Sequence, residues 1–322
     1  MLGRAGPGSD PYEALGDRPP ELANVAPDVW DRLLAAHRAG AHRAEFLAAS
    51  TNGRRFLEAA DGLRGRAPAR VEWKGPTKPV GYDAIPADLR VDHVYLVSCK
   101  YLSTILHNVS PAHLFERCLA ERHGETTGDW YQEVSPAAYA ELYSEVRRHV
   151  DPESLPADLG GLSTAHRAVL KAALARQWPA ALVPAYRSFC EDVAHRSAQR
   201  WSARLPALRD REVMLWRLLR LAPAPYFVLG TAPAGSLRLR IATPWDWRQR
   251  FSLSGFDIVG QAAGQPLVTW RAEVRDLEAG DTRIVEGYVE VRWSHGRFHS
   301  FPEAKVHLAT PHSLVPGYFP LG

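Results

Sequence analysis

From Tyr226 to about residue 310 the chain alternates apolar and polar residues at period two, whereas from Ser110 to about Leu221 its apolar residues recur at helical spacing. Period two places successive side chains on opposite faces of a strand, and the 3.6 period places them on one face of a helix. A chain with both patterns in separate blocks folds as α+β rather than all-α or all-β. The change falls at Leu221-Ala222-Pro223-Ala224-Pro225, which reads as a boundary. The expected organisation is a loose arm at 1–25, a core at 26–125, a helical region at 126–221 and a β domain at 222–322. Strands are expected near Tyr226–Leu229, Leu237–Ala242, Arg250–Val259, Leu267–Arg275, Arg283–Ser294 and Ala304–Leu308. Six short strands with turn residues between them suggest an antiparallel barrel or sandwich.

Within 26–125, an asparagine cap predicts a helix from Asn52 to Leu63 bearing Glu58. Strands are expected at Arg70–Trp73, at Val80–Ile85 with Asp83, and at Val91–Tyr101, with a turn over Pro86–Arg90. The third strand contains the apolar run Val94-Tyr95-Leu96-Val97-Ser98-Cys99-Lys100-Tyr101. A lysine closing such a strand needs a partner or a route to water. Alternation puts Ser98 and Lys100 on one face and Cys99 on the other.

An aspartate and a lysine on neighbouring strands, after a helix that carries a glutamate, resemble the PD-(D/E)xK nuclease superfamily. The matching residues are Asp83, Lys100 and Glu58; Ser98 stands where that family has Asp or Glu. The resemblance covers about residues 45–125 and implies a restriction-endonuclease-like α/β core. It also implies Mg²⁺ or Mn²⁺ held by Asp83 and Glu58, DNA as substrate, and a role in restriction-modification, repair or antiviral defence, as a homodimer or a subunit of a complex. Serine is a poor ligand for a hard cation, so another acid must enter the site, with Glu72 and Asp92 nearby, or the site has degenerated. The expected function is thus a metal-dependent DNA endonuclease. The alternative is a non-catalytic nucleic-acid-binding protein or complex subunit.

A second constellation lies near the end of the chain. With Val289, Val291 and Trp293 facing a core, Glu290 and Arg292 face the other way. On the next strand Glu303, Lys305 and His307 do the same. If the strands pair, these five side chains share one face, and Glu290, Glu303 and Lys305 form an alternative catalytic set. Solvated cross-strand pairs or phosphate contacts give the same pattern. Further candidates for nucleic-acid contact are Arg238, Arg240, Trp247, Arg248, Arg250, His295 and Arg297, because arginine grips phosphate and aromatics stack on bases. Inward-packed tryptophans are the simpler reading of Trp245-Asp246-Trp247.

Composition limits these expectations. The net charge is +3, from 39 basic and 36 acidic residues, too little to mark a nucleic-acid binder. Five lysines stand against 34 arginines, which fits phosphate recognition or simply GC-rich codon usage. Three cysteines at wide spacing match neither a zinc pattern nor a disulfide framework. No apolar run reaches the roughly 18 residues of a membrane span, and neither a signal peptide nor a nucleotide-binding or hydrolase motif is evident, so a cytoplasmic protein without a membrane partner is expected.

Overall fold

The computed structural model describes residues 15, 18–75, 86–102, 105–119, 128–175, 177–232 and 235–322. In chain order the first elements are β1 (Leu22–Ala23), α1 (Pro27–Arg38), α2 (Arg43–Glu58), β2 (Val71–Trp73), β3 (Leu89–Val91), β4 (Tyr95–Tyr101) and β5 (Ile105–Val109). Helices follow: α3 (Pro111–Phe115), α4 (Trp130–Val134), α5 (Pro136–Val150), α6 (Thr164–Ala173), α7 (Val183–Arg204) and α8 (Leu208–Leu218). The remainder is β6 (Tyr226–Ala232), β7 (Gly235–Ile241), α9 (Pro244–Arg250), β8 (Phe251–Ala262), β9 (Pro266–Asp276), β10 (Thr282–Trp293), β11 (Pro302–Leu308) and β12 (Tyr318–Pro320).

The chain divides into two compact units, each built from separated stretches. One comprises residues 1–104, 220–251 and 311–322, the other 105–219 and 252–310. A unit boundary falls at 219/220, within two residues of the expected change at 221, whereas the one nearest to 125 is at 104/105. The strands beyond residue 222 do not form one barrel or sandwich. β6, β7 and β12 join the sheet of the first unit, while β8 to β11 pair with β5 in the second, and no closed barrel occurs among the described residues. Local alternation marks a strand but does not say which sheet it enters.

In the first unit the seven strands run in the order β1-β2-β3-β4-β6-β7-β12. β2, β3 and β4 form an antiparallel meander, and β6 lies parallel to β4. Helix α2 packs on one face through Phe56, which joins Leu63, Val91, Val97 and Phe227 in a buried cluster. Two sequence expectations shift here. The helix begins at Arg43, so Asn52 is not a cap but lies buried in its interior. The β3–β4 turn is Asp92-His93, not Pro86–Arg90, with both residues at left-handed φ of 49° and 60°. Two consecutive positive φ values suit a tight hairpin whose twist matches its strands. Asp92 fixes the turn by accepting from the Ala69 and Arg70 amides at 2.8 and 2.9 Å.

The second unit holds a five-stranded sheet, β5-β11-β10-β9-β8. One face is apolar: Val268, Trp270, Ala272, Val274, Val289, Val291, Ala304 and Val306 are essentially inaccessible. Helix α7 is the main helical neighbour of β9 and of α5, and it buries Phe189, Val193, Ala194 and Trp201. Tyr131, Tyr139, Phe189, Trp293 and Phe298 form an aromatic cluster with centroids 4.8 to 6.2 Å apart. The Tyr131 hydroxyl donates to the Val291 carbonyl at 2.9 Å, so its polar end is satisfied within the core.

Candidate functional site

β4 carries Lys100 and is hydrogen-bonded on both sides. Val97 points into the cluster under α2, so alternation sends Ser98 and Lys100 to the opposite face. Ser98 is only 1% exposed. Asp88, the residue before β3, stands across from it. Asp88 Oδ2 accepts from Ser98 Oγ at 3.3 Å and from the Cys99 amide at 2.6 Å, and the Asp88 amide donates to the Val97 carbonyl at 2.8 Å. Its other carboxylate oxygen takes part in neither bond. A carboxylate thus meets the serine that occupies the family's acidic position, two residues before Lys100. Asp88 was missed in the sequence because Pro86–Arg90 read as a turn. Asp83 lies outside the described residues.

The backbone beside Lys100 is held from the α2 side. Lys100 pairs with Gly230 of β6, where a Cβ would come within 1.8 Å of the Lys100 carbonyl oxygen. The Gly230 carbonyl accepts from Asn52 Nδ2 at 2.9 Å, and Asn52 Oδ1 accepts from Arg238 Nε at 2.7 Å. Asn52 is therefore the α2 residue level with Lys100. Glu58, six residues further on, is not brought to the lysine's face. It lies 3.6 Å from Arg55 and is half exposed, on a helix that covers the Val97 face. The role that the resemblance gives Glu58 has no geometric counterpart here.

Nor do the two other nearby acids supply a ligand. Glu72 is buried and accepts from Arg90 Nε and Nη2 at 2.6 and 3.0 Å. That fork, with Arg70 and His93 nearby, outweighs burial and holds its carboxyl down at about 2. Asp92 is engaged by the Ala69 and Arg70 amides and by Arg66 at 2.6 Å. No three His, Cys, Asp or Glu side chains among the described residues form a ready cluster for a metal. Asp88 is nevertheless a hard oxygen donor of the kind Mg²⁺ takes.

The second constellation forms in the expected register: Glu290 opposes Lys305, Arg292 opposes Glu303 and Tyr288 opposes His307. β5 adds Asn108 beside Lys305. The five charged or titratable side chains are linked by long contacts, 3.5 Å from His307 to Glu290, 3.7 Å from Lys305 to Glu303 and 3.8 Å from Arg292 to Glu290. Glu290, Lys305 and His307 have side chains only 16, 17 and 11% exposed, against 26% for Glu303 and 41% for Arg292, so the face is half-buried. Glu303 Oε2 and Arg292 Nε are buried without a hydrogen-bond partner.

Most of the residues expected at a nucleic-acid contact make contacts within the chain. Arg238 is fixed by Asn52. Arg240 lies 3.5 Å from Asp61 and over the Phe319 ring. Trp247 is 1% exposed, and its helix is capped by Thr243, whose hydroxyl accepts from the Asp246 amide. Arg250 lies over the Phe251 ring, and Arg248 shares the last turn of α9. Arg297 stacks on Trp178 at 4.5 Å and donates to the Leu174 carbonyl. His295 is exposed at the turn after β10. The neighbouring Trp245, 70% exposed, is the aromatic that the sequence pattern did not single out from Trp247.

No family model, no curated protein and no solved structure matches this chain.

Proposed function

We propose that this chain is a metal-dependent phosphodiesterase acting on DNA, with its site on the Asp88–Ser98–Lys100 face of the first sheet. The observation that carries the proposal is the Asp88 carboxylate placed opposite Ser98, on the same face as Lys100. Asp88, with Asp83 by its place in the sequence, would hold Mg²⁺ or Mn²⁺, which when bound neutralises charge on the scissile phosphate and acidifies its water. Lys100 orients the attacking water and donates to the phosphate as its charge grows. The Ser98 hydroxyl and the Cys99 amide fix the rotation of the Asp88 carboxylate. Gly230 lets β6 lie close enough to set the direction of Lys100. A setting in restriction, repair or phage defence belongs to the same proposal and derives from the resemblance alone.

The test is cleavage of supercoiled plasmid and of single-stranded DNA with Mg²⁺ or Mn²⁺, with DNA binding measured on the same samples. Lys100→Ala and Asp88→Asn should each lower the rate by roughly 10²- to 10³-fold, the usual cost of removing one charge-stabilising group, and leave binding in place. Wild type that binds DNA but cuts under no condition would instead make this a non-catalytic binder.

The half-buried face of β10 and β11 favours a second reading. There Glu290 and Glu303 would be the acids and Lys305 the cation, and Glu303 Oε2, buried without a hydrogen bond, has Lys305 Nζ as its ion-pair partner at 3.7 Å. Cleavage lost in Lys305→Ala and kept in Lys100→Ala would move the site there.

A further inference from the structure

The second unit contains a cavity of about 700 Å³ that neither candidate site uses. Helices α4, α5 and α6, the loop 157–160 and Phe301 line it. Its chemistry is mixed. Tyr139 and Tyr143, one turn apart on α5, form its floor, each only 1% exposed and packed against Phe298, and the aromatic surface open to a ligand is that of Phe301 at the mouth, 51% exposed. Asp129, Gln132 and Arg167 add a carboxylate, a carboxamide and a guanidinium.

These groups are held in place. Asp129 caps α4 by accepting from the Tyr131 amide at 3.1 Å, and it also bonds the Tyr139 side chain. Arg167 Nη1 donates to the Phe298 carbonyl at 2.7 Å. The Tyr143 hydroxyl donates to the Pro156 carbonyl at 2.7 Å, which ties the adjoining loop to α5. The Tyr139 ring stacks on Phe298 with planes 11° apart. Burial pushes the Asp129 carboxyl upward despite the Tyr131 and Gln132 amides, the Tyr139 side chain and the Arg167 charge, and added N–H donors would favour its charged form.

A ligand for this cavity needs a flat π face, adjacent N–H donors for a carboxylate, and acceptors for a guanidinium. Guanine has all three: N1–H and the N2 amino group on one edge, and O6 with N7 on the next. Adenine has an acceptor at N1, cytosine has one at N3, and thymine has a single N–H between two carbonyls. We infer that the cavity binds a guanine nucleotide unit, with Asp129 accepting from N1–H and N2–H, Arg167 donating to O6 and N7, and the Phe301 ring against the base. The volume exceeds that of a base and leaves room for the sugar and phosphate. The unit can come from a free nucleotide or from a guanine presented by single-stranded or extruded nucleic acid.

Calorimetric titration of the full chain tests this. The probes are GMP, dGMP, AMP and CMP, a thymine oligonucleotide carrying one guanine, and the same oligonucleotide with thymine throughout. The expected result is at least tenfold tighter binding of GMP or dGMP than of AMP and CMP, or of the guanine oligonucleotide than of the all-thymine one. Binding of mononucleotides identifies a free ligand, and binding of the oligonucleotide alone identifies nucleic acid. Asp129→Asn keeps a good helix cap and should weaken guanine binding at least tenfold and abolish the preference. Phe301→Ala, at the exposed rim, should weaken binding through lost stacking and leave the preference intact. No binding of any guanine probe, equal binding of guanine and adenine, or a preference that survives in a folded Asp129→Asn protein would overturn the inference.

Discussion

At the residue scale, three acids lie close to Ser98 and Lys100 in sequence, and their surroundings separate them. Glu72 sits in the fork of Arg90 and Asp92 holds a turn, whereas Asp88 directs one oxygen to Ser98 and Cys99 and leaves the other outside those bonds. Ser98→Ala should therefore be mild, less than about tenfold in cleavage rate, because it removes one long hydrogen bond to Asp88, while Asp88→Asn should cost far more. An equal loss in both variants would show that the hydroxyl itself takes part. Glu72 gives a separate prediction about stability. Its folded carboxyl, held at about 2, lies below the ordinary value of 4.5. Its contribution is full above the unfolded value and fades as pH falls from about 4.5 towards 2. Denaturant melts should show Glu72→Gln flattening the pH dependence in that window. Glu72→Ala should cost about 1 kcal/mol at neutral pH, because the Arg90 left behind is a third exposed and water can solvate it.

At the scale of elements, β8 to β11 of the second sheet were legible because alternation marks them, whereas β5, just after Lys100, was not among the expected strands. The same alternation fixed which side chains of β10 and β11 share a face. The first sheet was harder to read. Asp92-His93 turns without a glycine, so no turn signal marked it, and Asp88 was hidden as a result. Asn52 has the residue type of a cap, yet it serves as a buried bridge between α2 and β6. A polar residue inside a helix signals such a bridge only once its distant partner is known, and Gly230 lies 178 positions away. Gly230→Ala tests the importance of that junction. The added carbon meets the Lys100 carbonyl, so β4 and β6 must separate, with an expected loss of about 3 kcal/mol. A melting temperature close to wild type would show that the two strands can part without cost.

At the scale of the whole molecule, the α+β class was legible and the assembly was not. Both units draw on early and late parts of the chain, and pairing between β4 and β6, or between β5 and β11, leaves no local mark in the sequence. A fragment spanning 222–322 should therefore fail to fold cooperatively, since β6 lacks β4 and β11 lacks β5. A sharp thermal transition from that fragment would contradict the sheet assignments. Among the described residues no helix is long and apolar enough to cross a membrane. The two charged faces, around Lys100 and around Lys305, are the places where chemistry on a phosphodiester can be sought, and they are carried by different sheets. The most direct measurement is the Mn²⁺-dependent rate of plasmid cleavage by Lys100→Ala beside Lys305→Ala, both checked for folding and DNA binding. A loss of at least 10²-fold confined to Lys100→Ala is the expected result, and cleavage by Lys100→Ala at the wild-type rate would contradict an active site on the first sheet.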